Sequence, residues 1–255
     1  MKINYNKLSN IGRAPCDADS LKDLPFIPAD PLPKKNFAMY ICGQPGSGKT
    51  NLLLQLLLSH PTKKNKKPNR YYYGFFDNIY LISASIATLP KSFLNKLDED
   101  RVYSKYTDEI MEEIVENMYD GPNLNNLIVI DDSIRDLNNS KILSKLLLNR
   151  RHLAHNPNLE NDTGQGSCSI MITSQKYSLL HLNHRVACSD FMIFKSTNRN
   201  EKMRLFEEIC FDLDKETFDN MTDEVWSERY QYLYVKPNNN LNQKYYQNFD
   251  SIQFD

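Results

Sequence analysis

Residues 43-GQPGSGKT-50 decide how the rest of the chain is read. The octapeptide matches GxxxxGK[ST] without a gap, between an apolar run, 36-NFAMYIC-42, and a helical one, 51-NLLLQLLLSH-60. Glycines at 43, 46 and 48 let backbone N–H groups converge on phosphate oxygens with no Cβ in the way, and the following helix adds the positive end of its dipole. In this reading Gly43, Gln44, Pro45, Gly46, Ser47, Gly48, Lys49, Thr50 and Asn51 bind the nucleotide. Lys49 bridges the β- and γ-phosphates and the Thr50 hydroxyl ligates Mg²⁺.

Such a loop needs an acid for its metal, and 127-LIVIDD-132 supplies one: four apolar residues bury a strand and two carboxylates emerge at its end. Asp131 is expected to hold Mg²⁺ through water and Asp132 to orient the attacking water. An ordinary strand-to-loop transition accounts for the same pattern, and Asp reaches one methylene less far than Glu. The next apolar run, 169-SIMITSQ-175, ends in Ser174 and Gln175, where Gln175 either senses the γ-phosphate or belongs to a plain turn. In 149-NRRHLAHN-156, Arg150 and Arg151 close a helical run, as partners of its dipole or as a finger reaching a neighbouring subunit's γ-phosphate. Arg185 is a second finger candidate. His152/His155 and His181/His184 are spaced i,i+3 with no carboxylate or cysteine cluster beside them and read as structural or surface residues.

A chain of 255 residues with 40% apolar and 25% charged residues suits one α/β domain with extensions. Its net charge of −1 gives no overall footprint for nucleic acid, so any DNA contact must be local. The five cysteines are scattered without a CxxC pair, which argues against a disulfide framework or a zinc site and for a reducing compartment. MKINYNKLSN has no signal-peptide core and 52-LLLQLLL-58 is too short to span a bilayer, so a soluble intracellular protein is expected.

Strands are predicted at 36–42, 78–84, 126–131, 168–174, 189–195 and 230–235, and helices at 49–59, 107–118, 139–149 and 199–210. Short runs with little polar interruption suit strands covered on both faces. The alternation predicts an α/β fold in three layers, a central mostly parallel sheet flanked by helices. Prolines 25, 28, 31 and 33 make residues 1–35 an extended arm, residues 36–236 form the nucleotide-binding domain, and the Asn-rich residues 237–255 read as a polar, partly disordered tail. The basic run 62-TKKNKKPNR-70 and Tyr71, Tyr72 and Tyr73 after it are either solvated surface or a track for a DNA backbone.

The succession GQPGSGKTNLLLQLL, LIVIDD, RRH, ITSQKYSLL and NHRVACSDFMIFK resembles the poxvirus-type genome-packaging ATPases of large DNA viruses and virophages, within the FtsK–HerA superfamily of P-loop NTPases. The resemblance covers roughly residues 36–210. It implies a homo-oligomeric ring, pentameric or hexameric, that uses ATP and Mg²⁺ to drive double-stranded DNA into a preformed capsid. It further implies docking to a viral capsid or membrane protein at the portal, with the motor at assembly sites in the host cytoplasm or with the virion. By position, Lys49, Thr50, Asp131, Asp132 and Gln175 match the family's catalytic and sensor residues, and Arg151 is the choice for the finger in trans. Many relatives place Glu where Asp132 stands, which leaves the catalytic base open. Two rival readings are a P-loop kinase, for which no arginine-rich lid is apparent, and a nucleotide-dependent assembly protein with little turnover.

Overall fold

The computed structural model describes residues 24–59, 71–133, 137, 140–154, 156 and 166–254. Each apolar run becomes a strand: β1 (Ala38–Cys42), β2 (Asn78–Ser83), β4 (Asn125–Asp131), β5 (Ser167–Ser174), β6 (Asp190–Phe194) and β7 (Tyr232–Val235). With the short strands β3 (Val102–Tyr103), β8 (Tyr245–Gln247) and β9 (Asp250–Ser251) they form one nine-stranded sheet, ordered β3-β2-β4-β5-β1-β6-β7-β8-β9. Strands from β3 to β6 are parallel, and β7, β8 and β9 are added antiparallel.

Alternate residues of each central strand serve opposite faces. Ile128, Ile130, Ile170 and Ile172 face one core with the apolar sides of α3 (Asp108–Asp120), α4 (Lys141–Leu153), α6 (Arg199–Ile209) and α7 (Lys215–Val225). Leu127, Val129 and Met171 face the other, with Leu52, Leu53, Leu56 and Leu57 of α1 (Lys49–Leu58) and with Tyr72 and Phe75. The shorter helices α2 (Lys91–Leu94) and α5 (Leu182–Val186) sit in connections. This is the three-layer α/β architecture expected.

Helix starts separate α1 from its companions. Thr107, Ser140, Asn198 and Asp214 each accept a first-turn N–H at the head of α3, α4, α6 and α7. α1 has Gly48 at that position, with φ 107° and no capping side chain. The first-turn amides that a cap would satisfy are left to another acceptor.

Residues 24–35 and 237–254 depart from the sequence reading. Residues 237–254 are not a tail: the Asn-rich run is the loop of a β7–β8 hairpin, in which Lys236 N donates to Lys244 O (2.9 Å). Tyr245 is fully buried, and Tyr246 and Phe249 pack on Tyr234. Aromatic spacing in 245-YYQNF-249 outweighs the polar composition around it. Residues 24–35 are likewise strapped to their own domain. Pro31 O accepts from Tyr234 OH (3.1 Å) and Lys236 Nζ (2.6 Å), Pro33 O accepts from Tyr72 OH (2.7 Å), and Leu32 is buried. The first 23 residues of the expected arm lie outside the described residues, as does the basic run at 62–70.

Candidate nucleotide-binding site

At the end of β1 the backbone leaves the sheet through Gly43, whose N–H donates to Ser174 O at the end of β5 (3.0 Å). A Cβ at Gly43 would stand 2.6 Å from Phe194 Cβ and 2.6 Å from Ser47 Oγ, so only hydrogen fits. Gly46 (φ 76°) and Gly48 (φ 107°) are left-handed, which turns the loop around the head of α1. Lys49 is 6% exposed and curls back over the loop, its Nζ donating to Gly43 O (2.7 Å) and Gln44 O (3.3 Å). Ser47 Oγ is buried without a hydrogen-bond partner among the described residues. Gln44, Pro45 and Gly46 are exposed, Thr50 is half-buried at the start of α1, and Asn51 is exposed one residue on.

Parallel strands bring all their C-terminal ends to one edge, which is where ligands sit in sheets of this kind. Cys42, Ser83, Asp131, Ser174 and Phe194 all finish there. β5 lies between β1 and β4, so the acid is two strands from the phosphate loop. Asp131 is 3% exposed; Thr173 Oγ1 donates to its Oδ1 (2.6 Å) and Ser83 Oγ to its Oδ2 (3.3 Å). Burial, the largest influence, pushes the Asp131 carboxyl above the usual range. The Thr173 bond opposes that, Asp132's charge adds to it, and the Ser83 bond and Lys49's charge pull it back.

Asp132 is exposed, in the left-handed region (φ 50°), and its N–H donates to Thr173 Oγ1 (3.1 Å). One threonine hydroxyl thus ties both acids to the strand between them and the phosphate loop. Gln175 is exposed directly after the residue that holds Gly43. Its footing is firm: Tyr40 OH shares a hydrogen bond with Ser174 Oγ (2.6 Å) and donates to Lys176 O (2.9 Å).

The arginines lie elsewhere. Arg150 holds the opposite edge of the sheet, donating to Asn36 O (2.5 Å) before β1 and to Ala187 O (3.5 Å) before β6. Arg151 follows it, exposed at the end of α4, across the sheet from its own phosphate loop. Arg185 is buried, paired with Glu208 (2.6 Å) and set 4.7 Å from the Tyr177 ring, so the second finger candidate is committed inside its own chain. His184 Nε2 bonds Ser144 Oγ (2.8 Å), a structural role; His152 is exposed and His155 is outside the described residues. Tyr72 is core, stacked on Phe37, which removes it from any DNA track.

The donor set suits a magnesium nucleotide. Lys49, an unpartnered Ser47 hydroxyl and an uncapped helix face where phosphates would lie, and the Thr50 hydroxyl with the Asp131 carboxylate supply hard oxygens to a metal that keeps its remaining waters and phosphate ligands. Sequence reasoning missed Thr173 and Ser83, which only strand order brings to Asp131, and Phe194, which closes the space beside Gly43.

No protein-family model and no curated protein sequence matches the chain. Solved structures do. The genome packaging NTPase B204 from Sulfolobus turreted icosahedral virus 2, in complex with sulfate, superposes with a TM-score of 0.54 and 12% identity, over 81% of this chain and 94% of that one. B204 in complex with ATP-gammaS gives 0.54 and 13%, over 83% and 96%. The conjugation coupling protein TcpA of pCW3, as a monomer with ATPgS, gives 0.52 and 11%, over 87% of this chain and 61% of TcpA. The chain therefore shares its fold with these proteins, among them a viral genome packaging NTPase.

Proposed function

We propose that this chain is the ATP-hydrolysing subunit of a ring-shaped motor, pentameric or hexameric, that drives double-stranded DNA into a preformed viral capsid. The observation that carries the reading is the uncapped, glycine-turned head of α1, with Lys49 over it and the buried Asp131 on the same sheet edge, in a fold shared with nearly all of B204. Bound Mg²⁺ would neutralise phosphate charge. Lys49 would orient the β- and γ-phosphates, Thr50 and Asp131 would hold the metal, Asp132 would align the attacking water, and Gln175 would report on the γ-phosphate through its junction with Gly43.

The position of Arg151 supports a ring. Because it lies across the sheet from its own phosphate loop, any γ-phosphate it reaches belongs to a neighbouring subunit. Docking to a capsid or membrane protein at the portal, at viral assembly sites, completes the proposal; no helix among the described residues is long and apolar enough to cross a membrane.

The test is phosphate release against protein concentration, with and without duplex DNA. Turnover is expected to rise with both, to vanish in Lys49→Ala, and to fall by roughly 10³–10⁵ in Arg151→Ala while ATP affinity persists. Wild-type turnover in Lys49→Ala, or hydrolysis that ignores DNA and follows a small phosphate acceptor, overturns it.

A further inference from the structure

Two cavities flank the phosphate loop on its β7 side, and Tyr230 lines both. The one toward α1, about 410 Å³, begins at Gly48 and is walled by the aromatic rings of Phe194, Tyr230 and Tyr232. Asn51 and Gln55 open into it from α1. Its size lies within the roughly 300–1,000 Å³ of small-molecule sites, and apolar walls with a few convergent polar groups are their usual chemistry.

We propose that this cavity seats the adenine base of the nucleotide, with Tyr230 as the stacking platform and the Asn51 and Gln55 amides reading the base edge. The inference rests on the phosphate-loop reading and extends it to base recognition. Tyr230 is 62% exposed and left-handed (φ 68°), an unfavourable combination for an aromatic residue unless its placement is used. Its Cδ1 lies 3.3 Å from where a Cβ at Gly48 would stand, so the ring rests on the turn that would cradle the phosphates. Below it, Phe194 and Tyr232 pack at 5.3 Å between centroids and are both buried, a rigid floor.

Asn51 and Gln55 are four residues apart on α1, hence on one face. That face is exposed, while Leu52, Leu53, Leu56 and Leu57 take the buried one. An amide offers a donor and an acceptor side by side, which complements adenine's N6–H and N7; guanine presents two acceptors at that edge. The cavity starts where the phosphate loop ends, so base and phosphates can be held together.

Calorimetric titration of the full chain with ATP, GTP and inorganic tripolyphosphate, each with Mg²⁺, tests this. Tyr230→Ala is expected to weaken ATP by roughly 5- to 150-fold, the loss of one base–aromatic stack, and to leave tripolyphosphate unchanged. Tyr230→Phe keeps the ring and should bind ATP as the wild type does. Asn51→Ala with Gln55→Ala should bring the ATP and GTP affinities together. Unchanged ATP affinity in Tyr230→Ala, or equal weakening of ATP and tripolyphosphate, overturns the proposal, the latter by showing that the ring only braces Gly48. Wild-type protein binding ATP and tripolyphosphate equally overturns the base seat and leaves the phosphate loop standing; binding neither overturns both.

Discussion

Replacing Thr173 by valine removes one hydroxyl and almost no volume, from a fully buried position. That hydroxyl donates to Asp131 Oδ1 at 2.6 Å and accepts from Asp132 N at 3.1 Å. A hydrogen bond to a charged group contributes about 1.5–3 kcal/mol, and the exposed Asp132 can let water take over part of the second bond. The expected loss is therefore about 2–3 kcal/mol, read by urea unfolding through the single, buried Trp226. The functional effect should be of similar size. The Thr173 bond is the strongest influence opposing burial at Asp131, so its loss raises that carboxyl further and shifts the acid limb of the hydrolysis profile to higher pH. Loss of an orienting partner of this kind typically lowers metal affinity or activity by roughly 10- to 100-fold. The assay is ATP hydrolysis titrated with Mg²⁺, with Thr173→Ser as the control that keeps the hydroxyl. A Thr173→Val protein with the wild-type unfolding midpoint and magnesium requirement would refute the reasoning.

Asp131→Asn should abolish hydrolysis yet stabilise the fold at neutral pH. Because burial raises the carboxyl's pKa in the folded chain, its contribution is full below the unfolded value, near 3.9, and is lost as pH climbs through the raised native one. The variant's advantage in urea should therefore shrink as the pH is taken toward 4, and an advantage independent of pH argues against a buried charge. Gly43→Ala drives a methyl into Phe194 and Ser47, contacts of 2.6 Å, and should cost about 1–3 kcal/mol together with nucleotide binding; calorimetry showing wild-type ATP affinity would contradict the loop geometry. Arg185→Ala strips the half-buried Glu208 of its buried partner and should lower stability by about 1–3 kcal/mol without changing how turnover depends on subunit concentration. A stable variant defective only in that dependence would restore Arg185 as a finger.

The central strands were legible because residues covered on both faces must be apolar throughout, so runs such as 127-LIVI-130 announce themselves within a residue or two of their observed ends. The C-terminal strands were not, because β8 takes its place from aromatic contacts with β7 and Phe254, and β9 from backbone pairing with β8, amid asparagine and glutamine that read as tail. α7 was missed for a similar reason: 215-KETFDNMTDEV-225 buries just three apolar residues, Phe218, Met221 and Val225, beside a polar Thr222, and its Asp214 cap is a weak signal.

The tight glycine turns of residues 43–50 could be read directly from consecutive residues, since which of them tolerate left-handed backbone and close approach is a matter of local sterics. Their neighbours could not. That β5 runs between β1 and β4 places Thr173 on Asp131, that Arg185 folds onto Glu208 withdraws it from solvent, and that the β6–β7 side closes over α1 puts Tyr230 on Gly48. Those contacts join residues far apart in the chain. Strand order sets them, and strand order comes from how whole faces pack, which local hydrophobic patterning does not encode.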